Sequence, residues 1–268
     1  MSQSLPLILE PEALVAQLER EDILLVDLSS PANYQSGHIP GAVHVPFQAL
    51  MAGTPPAAGK LPTAERLTQL FRAIGLRPEQ HVVALDDEGG GWAGRFLWTL
   101  EVIGHHKYSY LNGGMHAWRA AGLPLSTELP TIQPSQIELK IDTSAMIDAG
   151  EILQQLNDAD FRVWDARSAQ EYSGERVLAM KGGHIPGAVN CEWTLLMDPQ
   201  RHLRIREDAR ELLAGLGIDS SQRIVTHCQS HHRSGFTWLV GRALGFNIRA
   251  YPGSWSEWGN LPDTPTEQ

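Results

Sequence analysis

The sequence predicts an α/β protein built as two similar halves, each a mostly parallel sheet with helices on both faces. Three observations lead there. The chain repeats itself once: Asp27, Tyr34 and Gly37-His38-Ile39-Pro40-Gly41-Ala42-Val43 return as Asp165, Tyr172 and Gly183-His184-Ile185-Pro186-Gly187-Ala188-Val189. Further on, Phe96, Trp98, Gly113 and Trp118 return at the same spacing as Phe236, Trp238, Gly253 and Trp258. Two copies of one long unit imply two similar domains, because solenoid repeats are shorter and more numerous. Short continuous apolar runs alternate with amphipathic stretches, the pattern of parallel strands covered by helices. Finally, 268 residues at 42% hydrophobic and 19% charged is ordinary globular composition, long enough for two medium domains.

The elements follow in order. Pro11 to Arg20 has helical spacing, and Ile23-Leu24-Leu25-Val26-Asp27 is a short buried strand. Met51 to Pro62, with its glycines and prolines, is an insertion in the first repeat. Ala64 to Ile74 places Leu67, Leu70, Phe71 and Ile74 on one helical face. Val82 to Leu85 is a second strand and Arg95 to Ile103 a second helix. Gly122 to Ser135 is rich in Pro, Ser and Thr without amphipathic period, so it reads as extended linker. The second copy repeats the order with Ala145 to Leu156, Phe161 to Asp165, Glu207 to Leu216 and Ile224 to Thr226. The expected organisation is an N-terminal domain over 1–124, a linker over 125–137 and a C-terminal domain over 138–268.

Charge and composition limit the function. A net charge of −10 argues against nucleic acid or an anionic membrane surface as partner. No run is long enough to span a membrane, and Met1 to Pro11 carries no signal-like pattern, so a cytoplasmic protein is expected. Two cysteines cannot form a disulfide framework, and a reducing compartment suits a reactive thiol.

The chemistry concentrates in Ile224-Val225-Thr226-His227-Cys228-Gln229-Ser230-His231-His232-Arg233-Ser234, which reads as strand, polar loop and helix start. Ligands of parallel sheets collect at the carboxyl ends of strands. A cysteine there faces free N–H groups and the positive end of a helix dipole, and Arg233 adds a permanent charge. Such surroundings lower a thiol from its usual pKa of about 8.5. Cys228 is therefore the candidate nucleophile, with Gln229, Ser230, His231, His232 and Arg233 as candidate anion-binding residues. Cys191, in an apolar strand-like run, is expected only to pack. The corresponding stretch of the first copy, Leu85-Asp86-Asp87-Glu88-Gly89-Gly90-Gly91-Trp92, has no cysteine and three acids. It is expected neither to act as a nucleophile nor to hold anions well. His38 and His184 are expected to be structural, because the segment recurs where no cysteine loop accompanies it.

The tandem Asp…Tyr…Gly-His-Ile-Pro-Gly-Ala units, with one cysteine loop in the C-terminal copy, resemble the two-domain rhodaneses, thiosulfate:cyanide sulfurtransferases. The loop Cys228-Gln229-Ser230-His231-His232-Arg233 looks most like that of a bacterial subgroup. The resemblance implies two tandem rhodanese-like domains, the first inactive, and a monomer without cofactor or metal. It implies a Cys228 persulfide, formed from a small anionic donor such as thiosulfate and discharged to cyanide or a thiol. It also points to Arg176 as a donor-binding arginine, in an eight-residue expansion that the first copy lacks. Arg167 is expected to be structural, pairing with Asp165 or Glu171. Within the same chemistry, 3-mercaptopyruvate could be the donor, or the persulfide could serve a protein acceptor.

Two rivals fit less well. Cysteine phosphatases place five residues between Cys and Arg, whereas four separate Cys228 from Arg233, a narrower cradle better matched to one sulfur atom. A metal site built on His227, Cys228, His231 and His232 lacks a second Cys/His pair at standard spacing.

Overall fold

The computed structural model describes residues 5–268. The first four, which open the expected N-terminal domain and the stretch read for a leader, lie outside the described residues. The chain forms two compact units. The first comprises the chain up to Leu50, Pro62–Asp142 and Asp198–Ile205; the second comprises Met51–Leu61, Thr143–Met197 and Arg206–Gln268. In space the insertion Met51–Leu61 therefore belongs to the unit that carries Cys228.

The first unit contains β1 (Ile8–Leu9), α1 (Pro11–Val15), β2 (Ile23–Asp27), α2 (Pro31–Ser36), β3 (Val43–His44), α3 (Ala64–Ala73), β4 (His81–Leu85), α4 (Gly91–Val102), β5 (Tyr108–Leu111) and α5 (Gly114–Ala120). Its sheet has the order β1-β5-β4-β2-β3, and every pair in it is parallel. The Pro/Ser/Thr-rich segment is extended and runs along this unit. It exchanges hydrogen bonds between His38 and Ser126 (2.9 Å each) and takes one from Arg72 Nε to the Ile137 carbonyl (2.8 Å).

The second unit contains α6 (Ala149–Gln155), β6 (Phe161–Asp165), α7 (Ala169–Tyr172) and β7 (Val189–Asn190). In chain order a two-stranded ribbon follows, β8 (Met197–Asp198) with β9 (Arg204–Ile205), of which Asp198–Ile205 falls in the first unit. Then come α8 (Ala209–Gly215), β10 (Arg223–His227), α9 (Arg233–Ala243), β11 (Asn247–Ala250) and α10 (Ser254–Trp258). The sheet order is β11-β10-β6-β7, again parallel throughout. In the central strand, Val225 packs into a core with Ile152, Val163, Trp255 and Trp258. Its neighbour Thr226 turns the other way, its hydroxyl 2.6 Å from that of Thr237 on α9. Alternate side chains thus meet elements on opposite faces, which is why the strand reads as a continuous apolar run.

The repeated Gly-His-Ile-Pro-Gly-Ala segments make the same structural device twice. His38 stacks on Tyr34 at 3.9 Å and its Nδ1 donates to the Tyr34 carbonyl (2.9 Å); His184 stacks on Tyr172 at 3.7 Å and donates to the Tyr172 carbonyl (3.0 Å). Each tyrosine hydroxyl donates in turn across the turn, Tyr34 to the Ala42 carbonyl and Tyr172 to that of Ala188, both at 2.6 Å. These histidines lock a turn.

Candidate active site

The candidate site is built at the carboxyl end of β10. Cys228 is the first residue past the strand, and the loop to His232 turns the chain into α9. The start of this loop is pinned to α10: Trp255 N–H donates to the Cys228 carbonyl (2.9 Å) and Ser256 N–H to that of Gln229 (2.9 Å). Cys228 N–H reaches Ser254 Oγ at 3.4 Å. A second support comes from the Met51–Leu61 segment. A methyl group on Gly59 would lie 2.1 Å from the Ser230 carbonyl oxygen, so glycine there permits close backbone approach. Lys60 beside it pairs with Glu257 of α10.

Cys228 is 1% exposed, and burial by itself pushes its thiol up. The Arg233 guanidinium, the hydroxyl and N–H of Ser234, and His232 outweigh burial and bring it from 9.0 down to about 7. The Ser234 hydroxyl lies 3.5 Å from Sγ. Cys191 has no such company: burial raises it to about 11, with Arg206 opposing only in part. It is fully buried, with its carbonyl accepting from the Trp164 indole.

Arg233 is held at the site by a bidentate pair with Glu171, at 2.6 and 2.8 Å. Its fork is therefore engaged within the protein, and Arg233 acts on Cys228 through its charge. Glu171 itself caps α7, accepting from Ser168 while its own N–H donates back to the Ser168 hydroxyl. Although burial opposes it, the Arg233 pair and the Ser168 donors hold the Glu171 carboxyl at about 2.

The two loop histidines part company. His231 is fully buried, its Nδ1 2.8 Å from Ser234 Oγ, with φ at 57°. His232 is half-buried, its ring tilted against Trp193 at 5.5 Å. Gln229 donates to the Leu178 carbonyl (3.2 Å), which links the cysteine loop to the expanded segment carrying Arg176. Arg176 is exposed, and its backbone N–H bonds the Gln170 carbonyl (2.8 Å). Arg167 is buried and structural: it holds Asp165, donates to the Gly183 carbonyl (2.8 Å) and lies over the Trp255 ring. Sequence reasoning missed Ser234 beside the thiol, Ser254 at the Cys228 N–H, Glu171 on Arg233 and Trp193 against His232. The capping box Ser168-x-x-Glu171 signalled a cap but not the Arg233 pair.

In the matching loop of the first unit the N–H groups are already engaged by a carboxylate of the loop itself. Asp86 Oδ1 accepts from the N–H groups of Glu88, Gly89 and Gly90 (3.2, 3.1 and 2.8 Å), and Oδ2 accepts from that of Ala93 (3.0 Å). Converging N–H groups at a helix start favour negative charge whatever its source.

A buried thiol brought down to about 7 past the central strand of one α/β unit, with a carboxylate in the same place in the other, defines a protein of two similar α/β units with a cysteine-bearing strand-to-helix loop in the second. A family model for the rhodanese-like domain matches this chain twice, over residues 10–121 and 148–261. The chain belongs to the rhodanese family. A thiosulfate sulfurtransferase of Azotobacter vinelandii is 54% identical over 265 residues, covering 98% of both chains. One of Pseudomonas aeruginosa is 51% identical over 264 residues, covering 98% of this chain and 97% of the other. The structure of an anaerobic ergothioneine biosynthesis enzyme from Chlorobium limicola superposes with a TM-score of 0.85 at 21% identity, covering 98% of this chain and 70% of that one. That likeness is one of fold.

Proposed function

We propose that this protein is a thiosulfate sulfurtransferase that works through a persulfide on Cys228. The observation that carries the reading is the buried thiol just past β10, its Sγ 3.5 Å from the Ser234 hydroxyl and brought down to about 7, against burial, by Arg233, Ser234 and His232. The Cys228 thiolate attacks the outer sulfur of thiosulfate; the S–S bond to the sulfonate sulfur breaks, and sulfite leaves with the electron pair. The resulting Cys–S–S⁻ is attacked at its terminal sulfur by cyanide, giving thiocyanate and returning the thiolate. Both leaving groups are stable anions, so no strong general acid is needed, and covalent catalysis of the ping-pong type follows. Negative sulfur is stabilised by the loop N–H groups, the start of α9 and the Arg233 charge.

In this reading the donor meets His232, Gln229, Ser230 and the exposed Arg176, while Arg233 sets the field. The engagement of its fork by Glu171 also speaks against a phosphatase, whose arginine must grip phosphate with both arms. The catalytic domain is 138–268, the domain over 1–124 takes no sulfur, and 125–137 joins them. A thiol acceptor can replace cyanide, and the enzyme works as a monomer in the cytoplasm, where thiols stay reduced.

Intact-protein mass spectrometry tests the proposal. Thiosulfate adds one sulfur atom to the wild type and none to Cys228→Ser, and cyanide removes it as thiocyanate. Sulfur uptake by the Ser variant overturns the assignment. Uptake from 3-mercaptopyruvate alone changes the donor, and discharge only to a protein acceptor makes the chain a sulfur carrier.

A further inference from the structure

The loop contains a residue whose conformation the catalytic description leaves unexplained. His231 is fully buried, yet its backbone sits at φ 57°, which residues with a side chain adopt rarely. That turn brings Nδ1 to 2.8 Å from the Ser234 hydroxyl, which lies 3.5 Å from Cys228 Sγ and is itself fully buried. The direction of the chain is fixed by proton counting. A thiolate has no proton and can only accept, so the single hydroxyl proton of Ser234 goes to sulfur. The Ser234 oxygen must then accept, and His231 Nδ1 must carry the proton it accepts.

We propose that Ser234 is a catalytic hydrogen-bond donor to the Cys228 thiolate, and that buried His231 is its positioning residue. His231 thus acts through Ser234 and does not touch the sulfur donor. The inference rests on Cys228 as the reacting thiol. It explains why two adjacent histidines differ: His232 stays half-buried beside Trp193, whereas His231 accepts an uncommon backbone turn to reach Ser234. Other charges face the same sulfur. Arg233 and His232 act on it directly, and Glu171 and Asp165 act on Arg233. The contribution of the hydroxyl must therefore be isolated by substitution.

The experiment follows alkylation of Cys228 in the full chain by iodoacetamide between pH 5.5 and 9, scored by intact mass. Ser234→Ala is expected to move the midpoint upward by about one pH unit, a roughly tenfold slower reaction at pH 6. His231→Ala should move it in the same direction. His231→Asn should restore most of it, because asparagine tolerates positive φ and its amide can donate to Ser234. In the Ser234→Ala background, His231→Ala should add nothing. An unmoved midpoint in Ser234→Ala overturns the proposal. So does a His231→Ala effect that persists without the hydroxyl, or one confined to KM for thiosulfate. Should His231→Ala not fold, Ser234→Ala and His231→Asn still decide. Alkylation needs no sulfur donor, so wild type that fails to take up sulfur defeats the sulfurtransferase reading separately.

Discussion

Asp86 occupies in the first unit the place that Cys228 occupies in the second. Each is the first residue past the central strand, and each carbonyl accepts an N–H from the start of the last helix of its unit at 2.9 Å, from Met115 and Trp255 respectively. The first loop gathers four N–H groups on its carboxylate, whereas the thiol of the second has the hydroxyl and N–H of Ser234 and the Arg233 charge beside it. The shared physical element is a strand-to-helix turn, a place that favours negative charge. An aspartate there accepts hydrogen bonds without chemistry of its own; a cysteine in the same place can react.

Asp86 should matter for stability and not for sulfur transfer. Burial, with Glu88 nearby, raises its carboxyl to about 6 despite its backbone donors. A carboxyl raised on folding contributes fully below its unfolded value near 4, and the contribution fades as pH rises to about 6. Urea denaturation should therefore give a falling stability between those pH values, and Asp86→Asn should flatten it. The variant should cost about 1–2 kcal/mol at pH 7, because Ala93 N–H then faces an amide NH2. Thiocyanate formation should stay at the wild-type rate.

Glu171 and Arg233 give a pH dependence of opposite sign. Glu171 is depressed from 4.5 to about 2, so its contribution is complete above pH 4.5 and is lost as pH falls through about 2. Glu171→Gln should flatten the acid limb of a stability–pH curve and cost about 3 kcal/mol at pH 7 by leaving Arg233 without its carboxylate. Freed of that counter-charge, Arg233 should lower the Cys228 alkylation midpoint further. Arg233→Ala should raise the midpoint and slow turnover with thiosulfate at least tenfold.

How much of this was legible follows from the range of each interaction. Strands Ile23–Asp27 and Phe161–Asp165 match the sequence reading residue for residue, because five consecutive apolar-rich positions are a local signal. Helix α1 ends at Val15 rather than Arg20, and α4 begins at Gly91, where two glycines and a tryptophan give no helical period. Strands Tyr108–Leu111 and Asn247–Ala250 went unnoticed, being four residues long and defined by their partners. At the site, Cys228 and its loop are contiguous and were readable. Glu171 lies 62 residues from Arg233, and Gly59 comes from the first repeat, so neither could be placed before folding.

Arg176 is the candidate whose role depends most on the donor. Its side chain is exposed on the expanded segment that Gln229 touches through Leu178. An exposed arginine attracts an anion by roughly 0.5–1 kcal/mol. Arg176→Ala should raise KM for thiosulfate about two- to fivefold, with kcat nearly unchanged, and added salt should shrink the difference between variant and wild type. Equal KM values would return Arg176 to the solvated surface.

Cys191 separates a packed sulfur from a reactive one within one chain. Fully buried, with its thiol raised to about 11, it should resist iodoacetamide at pH 8 while Cys228 is consumed. Cys191→Ala should keep sulfur transfer within twofold of wild type and cost about 1 kcal/mol for the small void. Cys191→Ser should cost more despite its closer shape, because a hydroxyl in that site needs a partner that a thiol does not. Thermal melts of the two variants rank them. A serine variant as stable as the alanine one would mean that the site offers the hydroxyl a hydrogen bond, and would remove the reason for a sulfur there.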